Sequence, residues 1–168
     1  MGTAERDEVF EAAFNDLLGR ALSAARSVLG PGPAAEDVAA ETMARTYGHW
    51  AKVSGLPYRE AWVARVAANL AIDSVRRRPA PVQEAPVATS GERGALNRMV
   101  LVAAVRRLPR RQRQVVVLSY LSDVAEADVA SLLGISNGSV KTHLHRGLAA
   151  LRASLGPDSE EWNLAVFD

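Results

Sequence analysis

The sequence predicts an all-α protein: two small helical domains joined by a flexible linker, the second ending in a helix-turn-helix. Apolar residues fill 48% of the 168 positions while aromatics fill only 5%, and the apolar set is mostly Ala, Leu and Val, of which Ala and Leu favour helix. Apolar positions recur at three- and four-residue steps through much of the chain. A third observation divides it: "RRRPAPVQEAPVATSGERG", 76–94, holds three prolines and two glycines with no sustained period. The expected units are 1–78, a linker over 79–97, a second domain over 98–156 and an acidic tail over 157–168.

In the first unit, Val9, Phe10, Ala13, Phe14, Leu17, Leu18 and Ala21 trace one face of an amphipathic helix. "LGPGPAAED" breaks it, because Pro31 and Pro33 cannot continue a helix cheaply. A second helix is expected near 34–50, with Glu36 and Asp37 in its first turn, where the helix dipole favours carboxylates. "SGLPY" makes the next break. A third helix runs from about Arg59 to Arg78 and closes on a basic run, favourable at a helix C-terminus. On it, Trp62, Val63, Val66 and Leu70 are expected on one side, with Arg65, Asn69, Ile72 and Arg76 as a stripe on another.

Four helices are expected in the second unit. The first spans roughly 94–107. Pro109 then suits a first helical turn, where its missing N–H costs little. "VVVLSYL" carries three valines that favour strand, but its flanks predict helix. "VAEADVASLLG" gives a short helix with Val129, Leu132 and Leu133 inward, and Gly134 suits the left-handed residue that ends it. Ser136 is placed to cap the next helix. There Val140, Leu144, Leu148, Leu151 and Leu155 line one face, Thr142, Arg146 and Ser139 lie roughly opposite, and Lys141, His143 and His145 flank them. Two helices joined by a short Gly-containing turn form the helix-turn-helix signature, whose second helix enters the DNA major groove. A structural helical hairpin shares that pattern. Charge favours DNA: residues 98–156 carry nine basic and three acidic side chains, while the tail has four acidic ones.

Other functions find less support. No run approaches the roughly 20 apolar residues of a membrane span. The acidic opening "MGTAERDEVF" lacks an apolar signal core, which predicts a cytoplasmic protein. With no cysteine, disulfides, thiolate metal sites and Cys nucleophiles are excluded. His143 and His145, two apart on a helix, point about 200° from each other and make a poor metal pair. No nucleotide loop, carboxylate pair or nucleophile–base set is found, so neither enzyme activity nor a cofactor is expected.

"LPRRQRQVVVLSYLSDVAEADVASLLGISNGSVKTHLHRGLAALR" resembles region 4 of sigma-70-type RNA polymerase sigma factors. "AEDVAAETMARTYGHW" and "AWVARVAANLAIDSVRRR" resemble region 2. Two such regions without regions 1.1 and 3 resemble the bacterial extracytoplasmic-function group, over roughly 8–155. The resemblance implies docking on core RNA polymerase, by Glu36, Asp37, Glu41 and Arg45 on the β′ clamp helices and by region 4 on the β flap. Ala40 stands where the family often has Gln. It implies that the loop from Lys52 to Arg59 traps an unpaired −10 base, with Tyr58 or the Leu56-Pro57 edge stacking in place of the family's frequent Phe. Asn69 matches a −10 DNA contact, with Arg65, Asp73 and Arg76 as neighbours. Lys141, Thr142, His143, His145 and Arg146 match −35 contacts, His143 replacing a frequent Arg; Arg110, Arg111 and Arg113 add phosphate contacts at the edge. An anti-sigma protein is a further partner that such a chain can have.

The competing reading is a stand-alone helix-turn-helix regulator, which leaves the region 2 segments unexplained. For the tail, a frayed end is expected; the alternative is that it folds back on region 4 and damps DNA binding.

Overall fold

The computed structural model describes residues 2–77 and 90–156, and all regular structure among them is helical. The elements are α1 (Thr3–Leu29), α2 (Pro33–Gly48), α3 (Trp50–Val53), α4 (Arg59–Arg77), α5 (Ser90–Arg107), α6 (Arg110–Val115), a π-helical turn over Val116–Leu121, α7 (Glu126–Leu133) and α8 (Asn137–Leu155). Of the expected linker, residues 90–97 form the first two turns of α5. The rest of it, and the tail over 157–168, lie outside the described residues.

Local chemistry accounts for the breaks. Pro33 opens α2, where a missing N–H breaks no bond. Gly30 ends α1 with φ 78°, and a Cβ there would lie 2.7 Å from Cζ of Arg98. Its bare backbone serves the turn, while the Arg98 side chain is flexible enough to give way. Pro109 precedes α6 as its cap residue, one position outside the expected first turn.

α1, α2 and α4 pack side by side around an aromatic cluster. The ring of Phe10 meets Tyr47 and Trp50 edge-on, each at 5.1 Å between centroids, a favoured quadrupole geometry. The inward side of α4 is mostly alanine: Ala61, Ala64, Ala67, Ala68 and Ala71 are buried together with Val63. The expectation for α4 needs two corrections. Ile72, expected on the polar stripe, is buried, while Trp62, Val66 and Leu70, expected in the core, are only half-buried. The alanines fill the closest approach, so the bulkier side chains lie at its margins.

The two halves share their interior. One core cluster joins Leu17, Ala64 and Ala67 to Val115, Leu118, Val129 and Leu133. A second joins Val28, Ala68, Ala71 and Ile72 to Val102, Val105, Val116 and Leu148. Arg20 donates across the seam to the carbonyl of Asp123 at 2.8 Å. Val115, Val116, Val117 and Leu118 are consecutive and all buried, which one face of a helix cannot achieve; here the helix has partners on both sides. α8 presses against it at Gly147, where a Cβ would approach Cγ2 of Val116 to 2.6 Å.

Gly147→Val is accordingly expected to destabilise the protein by about 1–3 kcal/mol through overpacking against a stiff β-branched neighbour. Chemical denaturation of the full chain measures it, and an unchanged midpoint would refute the close contact.

Candidate nucleic-acid interface

The turn between α7 and α8 is built as the residues dictate. Gly134 adopts φ 64°, ψ 41°, the left-handed region that suits a residue without a Cβ. The N–H groups of Gly134 and Ile135 both reach the carbonyl of Ala130, that of Ile135 at 3.1 Å. Ser136 Oγ accepts from the N–H of Ser139 at 3.1 Å and caps α8. Val140, Leu148 and Leu151 are buried, and Leu144 and Leu155 half-buried, so the inward face is fixed.

What that fixing exposes is the opposite face. Lys141, Thr142, His145 and Arg146 are all exposed in the first three turns of α8. Thr142 donates its hydroxyl hydrogen to the Gly138 carbonyl at 2.9 Å, leaving its methyl and the two hydroxyl lone pairs for an outside partner. His143 departs from the other four. It is half-buried, and its Nδ1 is buried without a hydrogen-bond partner. Glu126 of α7 joins Lys141 and His145 around a shallow depression, an acidic neighbour the sequence pattern did not reveal.

The second expected surface gathers on α4 and the loop before it. Arg65, Asn69 and Asp73 line one cavity of about 360 Å³. Tyr58 and Arg65 line a second, of about 390 Å³, with Lys52, Leu56 and Trp62. Arg65 belongs to both and so joins loop to stripe. Four of the five expected residues are thus brought together; the side chain of Arg76 lies outside the described residues. Burial depresses the Arg65 guanidinium pKa, the nearby Tyr58 partly opposing this. Trp62, expected in the core, instead faces the loop recess, where its ring lies 5.9 Å from that of His49. An aromatic one helical turn beyond Tyr58 was the available signal.

Neither cavity belongs to the first half alone. Arg106, Arg113 and Gln114 line the first across from Asn69, and Leu132 of α7 lines the second. Sequence reading had no means of placing these residues, since the contacts cross the two halves.

A third surface lies on α2. Glu36, Asp37, Glu41 and Arg45 are all exposed. Asp37, Glu41 and Arg45 share a groove with Leu70 and Asp73 of α4; Glu36 lies outside it. Arg45 Nε and Glu41 Oε1 pair at 2.7 Å with one-turn spacing, a geometry that contributes only about 0.3–0.5 kcal/mol when exposed.

Comparison with known proteins agrees with this layout. The model of sigma-70 region 2 matches residues 13–79 and that of sigma-70 region 4 matches 98–151. The RNA polymerase sigma-E factor of Streptomyces antibioticus is 36% identical over 127 residues, covering 72% of this chain and 70% of the relative. The ECF RNA polymerase sigma factor SigW of Bacillus subtilis is 31% identical over 147 residues, covering 76% and 79%. Among solved structures, CnrH in complex with the cytosolic domain of CnrY is 25% identical with a TM-score of 0.59, covering 90% of this chain and 93% of that one.

Removing the cap tests the local account of the interface. Ser136→Ala is expected to cost about 1 kcal/mol and to speed amide exchange over the first turn of α8. Unchanged exchange there would show that the cap does not anchor this helix.

Proposed function

The chain belongs to the extracytoplasmic-function group of sigma-70-type RNA polymerase sigma factors, and on that premise we propose how its surfaces divide the work of starting transcription. The protein acts in the cytoplasm as an initiation factor, with no catalysis of its own. It directs core polymerase to −35 and −10 promoter elements. Residues 1–78 form the docking and −10 unit, 79–97 the connection, and 98–156 the −35 unit.

The observation that carries this reading is the exposed face of α8. Its first turns carry Lys141, Thr142, His145 and Arg146 on a helix whose other face is buried, which supports insertion into the −35 major groove. Arg146 and Lys141 supply guanine and phosphate partners, and Thr142 offers a methyl to thymine. His143 takes a lesser part, in keeping with its half-buried ring. Arg110 and Arg111 reach flanking phosphates, whereas Arg113, expected beside them, is half-buried, donates to the Arg106 carbonyl at 2.9 Å and faces the α4 cleft instead. Stacking is sequence-tolerant but demands an aromatic face, so Tyr58 and Trp62 serve the flipped −10 base. Arg65, Asn69, Asp73 and Arg76 hold the strand beside it. Glu36, Asp37, Glu41 and Arg45 dock on the β′ clamp helices, and region 4 meets the β flap. An anti-sigma protein completes the partner set, with Val9, Phe14, Leu96 and Val100 as exposed apolar contacts.

Two substitutions separate the roles. Arg146→Ala is expected to weaken −35 duplex binding by about 1–3 kcal/mol while sparing binding to core polymerase. Asn69→Ala is expected to lower the yield of opened promoter, read by permanganate reactivity, with core binding intact. Equal loss of core binding in both would refute the division.

Co-purification with core polymerase, followed by transcription from genomic fragments, tests the whole reading. A stable complex that starts transcripts is expected. Absence of a complex, together with sequence-specific duplex binding by the protein alone, would establish a stand-alone regulator instead.

A further inference from the structure

We propose that the acidic tail, 157–168, docks along one flank of α8 and competes with the −35 duplex for Lys141 and His145. The proposal rests on the −35 assignment of α8 made above.

The described residues already form the groove it would occupy. Lys141, Leu144, His145, Leu148 and Arg152 line that groove together with Glu126 of α7. Their spacing makes them a single stripe along α8. Leu144 is half-buried and lies between the exposed Lys141 and His145, so basic groups surround an apolar floor. Glu126 does not neutralise Lys141, since the ion pairs among the described residues are Arg6–Asp7 and Arg45–Glu41. A DNA phosphate answers the charge of this groove but offers nothing to Leu144 and Leu148. The tail "PDSEEWNLAVFD" answers both, with Asp158, Glu160, Glu161 and Asp168 interspersed with Trp162 and Phe167.

Chain geometry brings the two within reach. α8 ends at Leu155, and the N–H of Gly156 bonds back to the Arg152 carbonyl at 3.1 Å. Gly156 has φ 76°, a left-handed value that suits a residue without a Cβ and turns the chain off the helix axis. The groove begins one turn back, at Arg152, and Lys141 lies about 16 Å further along the helix. The twelve tail residues can span up to about 40 Å when extended. So short a tether also holds the tail near millimolar effective concentration. Contacts too weak to retain a separate peptide therefore suffice.

Lys141 and His145 cannot serve the tail and the major groove at once. Docking lowers −35 affinity and leaves the helix-turn-helix itself intact. Thr142 and Arg146 lie outside the groove lining, so the tail competes with duplex rather than sealing α8. A protein that took hold of the tail would free both residues and raise that affinity.

The chain has two lysines, Lys52 and Lys141, which makes the contact readable. Carbodiimide treatment of the free full-length chain is expected to join Lys141 to a tail carboxylate, with Lys52 as the internal control. Peptide mass spectrometry identifies the partners. Coupling of Lys141 to Glu126 alone would overturn the proposal. So would coupling only between chains, read in mixtures of isotopically labelled and unlabelled protein.

Duplex binding tests the competition. Ending the chain at Gly156 is expected to tighten binding to a short random-sequence duplex by about three- to tenfold at low salt. The gain should fade at high salt, where exposed ion pairs are screened. Trp162→Ala leaves the tail charge untouched and should reproduce part of the gain. A gain on truncation with none in Trp162→Ala would reduce the tail to a charge that repels DNA, and equal affinity in all three proteins would remove the competition altogether; either overturns the proposal. If no variant binds duplex, the −35 assignment fails, while the carbodiimide partners of Lys141 still decide whether the tail docks.

Discussion

Five alanines on α4, Ala61, Ala64, Ala67, Ala68 and Ala71, are each at most 1% exposed, and the arrangement of every other helix follows from how closely they allow neighbours to approach. With no side chain beyond Cβ, they cost no rotamer entropy on burial and keep the helix slim. α1 and α2 close on it from one side. The π turn and α7 reach it from the other, so that α4 is the central post of both halves. Beside this interior side, Arg65, Asn69 and Asp73 line one cavity, and Arg65 joins it to the recess of Tyr58 in the loop before the helix.

The valine run answers this post from the second half. Three β-branched residues are unfavourable in an α-helix and favour strand, yet the run forms a widened helical turn. Burial explains the outcome. Val116 faces Gly147 of α8, while Val115 and Leu118 join the cluster that includes α4. Widened turns of this kind shift the facing of the residues that follow. The shift lets consecutive valines serve two neighbours at once, where a regular α-turn would leave one of them toward water.

This contrast sets what the sequence made legible. Turn chemistry was plain in advance: Gly134 takes a left-handed backbone that few other residues tolerate, Ser136 supplies a capping oxygen, Pro33 lacks an N–H where none is needed, and all three mark the element ends expected of them. The leucine spacing of α8 likewise located its buried face and, by subtraction, the exposed Lys141, Thr142, His145 and Arg146. The α4 interior was harder to read because alanine is a weak marker of burial. The eye goes to Trp62 and Leu70, which lie at the margin, and assigns Ile72 to the polar side. The helical state of residues 90–93 was hidden by Gly91 and Gly94, whose helix propensity is poor. Contacts across the seam, such as Leu132 beside Trp62 or Arg20 on Asp123, join residues far apart in the chain, and periodicity says nothing of them.

The seam also couples the exposed face of α8 to α4 mechanically. The π turn touches α8 through Val116 and α4 through Leu118, within three residues of one another. Helices on either side of so short and tightly packed a segment cannot shift independently, since interiors of native density transmit displacement rather than absorb it. The position of α8 is therefore referred, through that single turn, to α4.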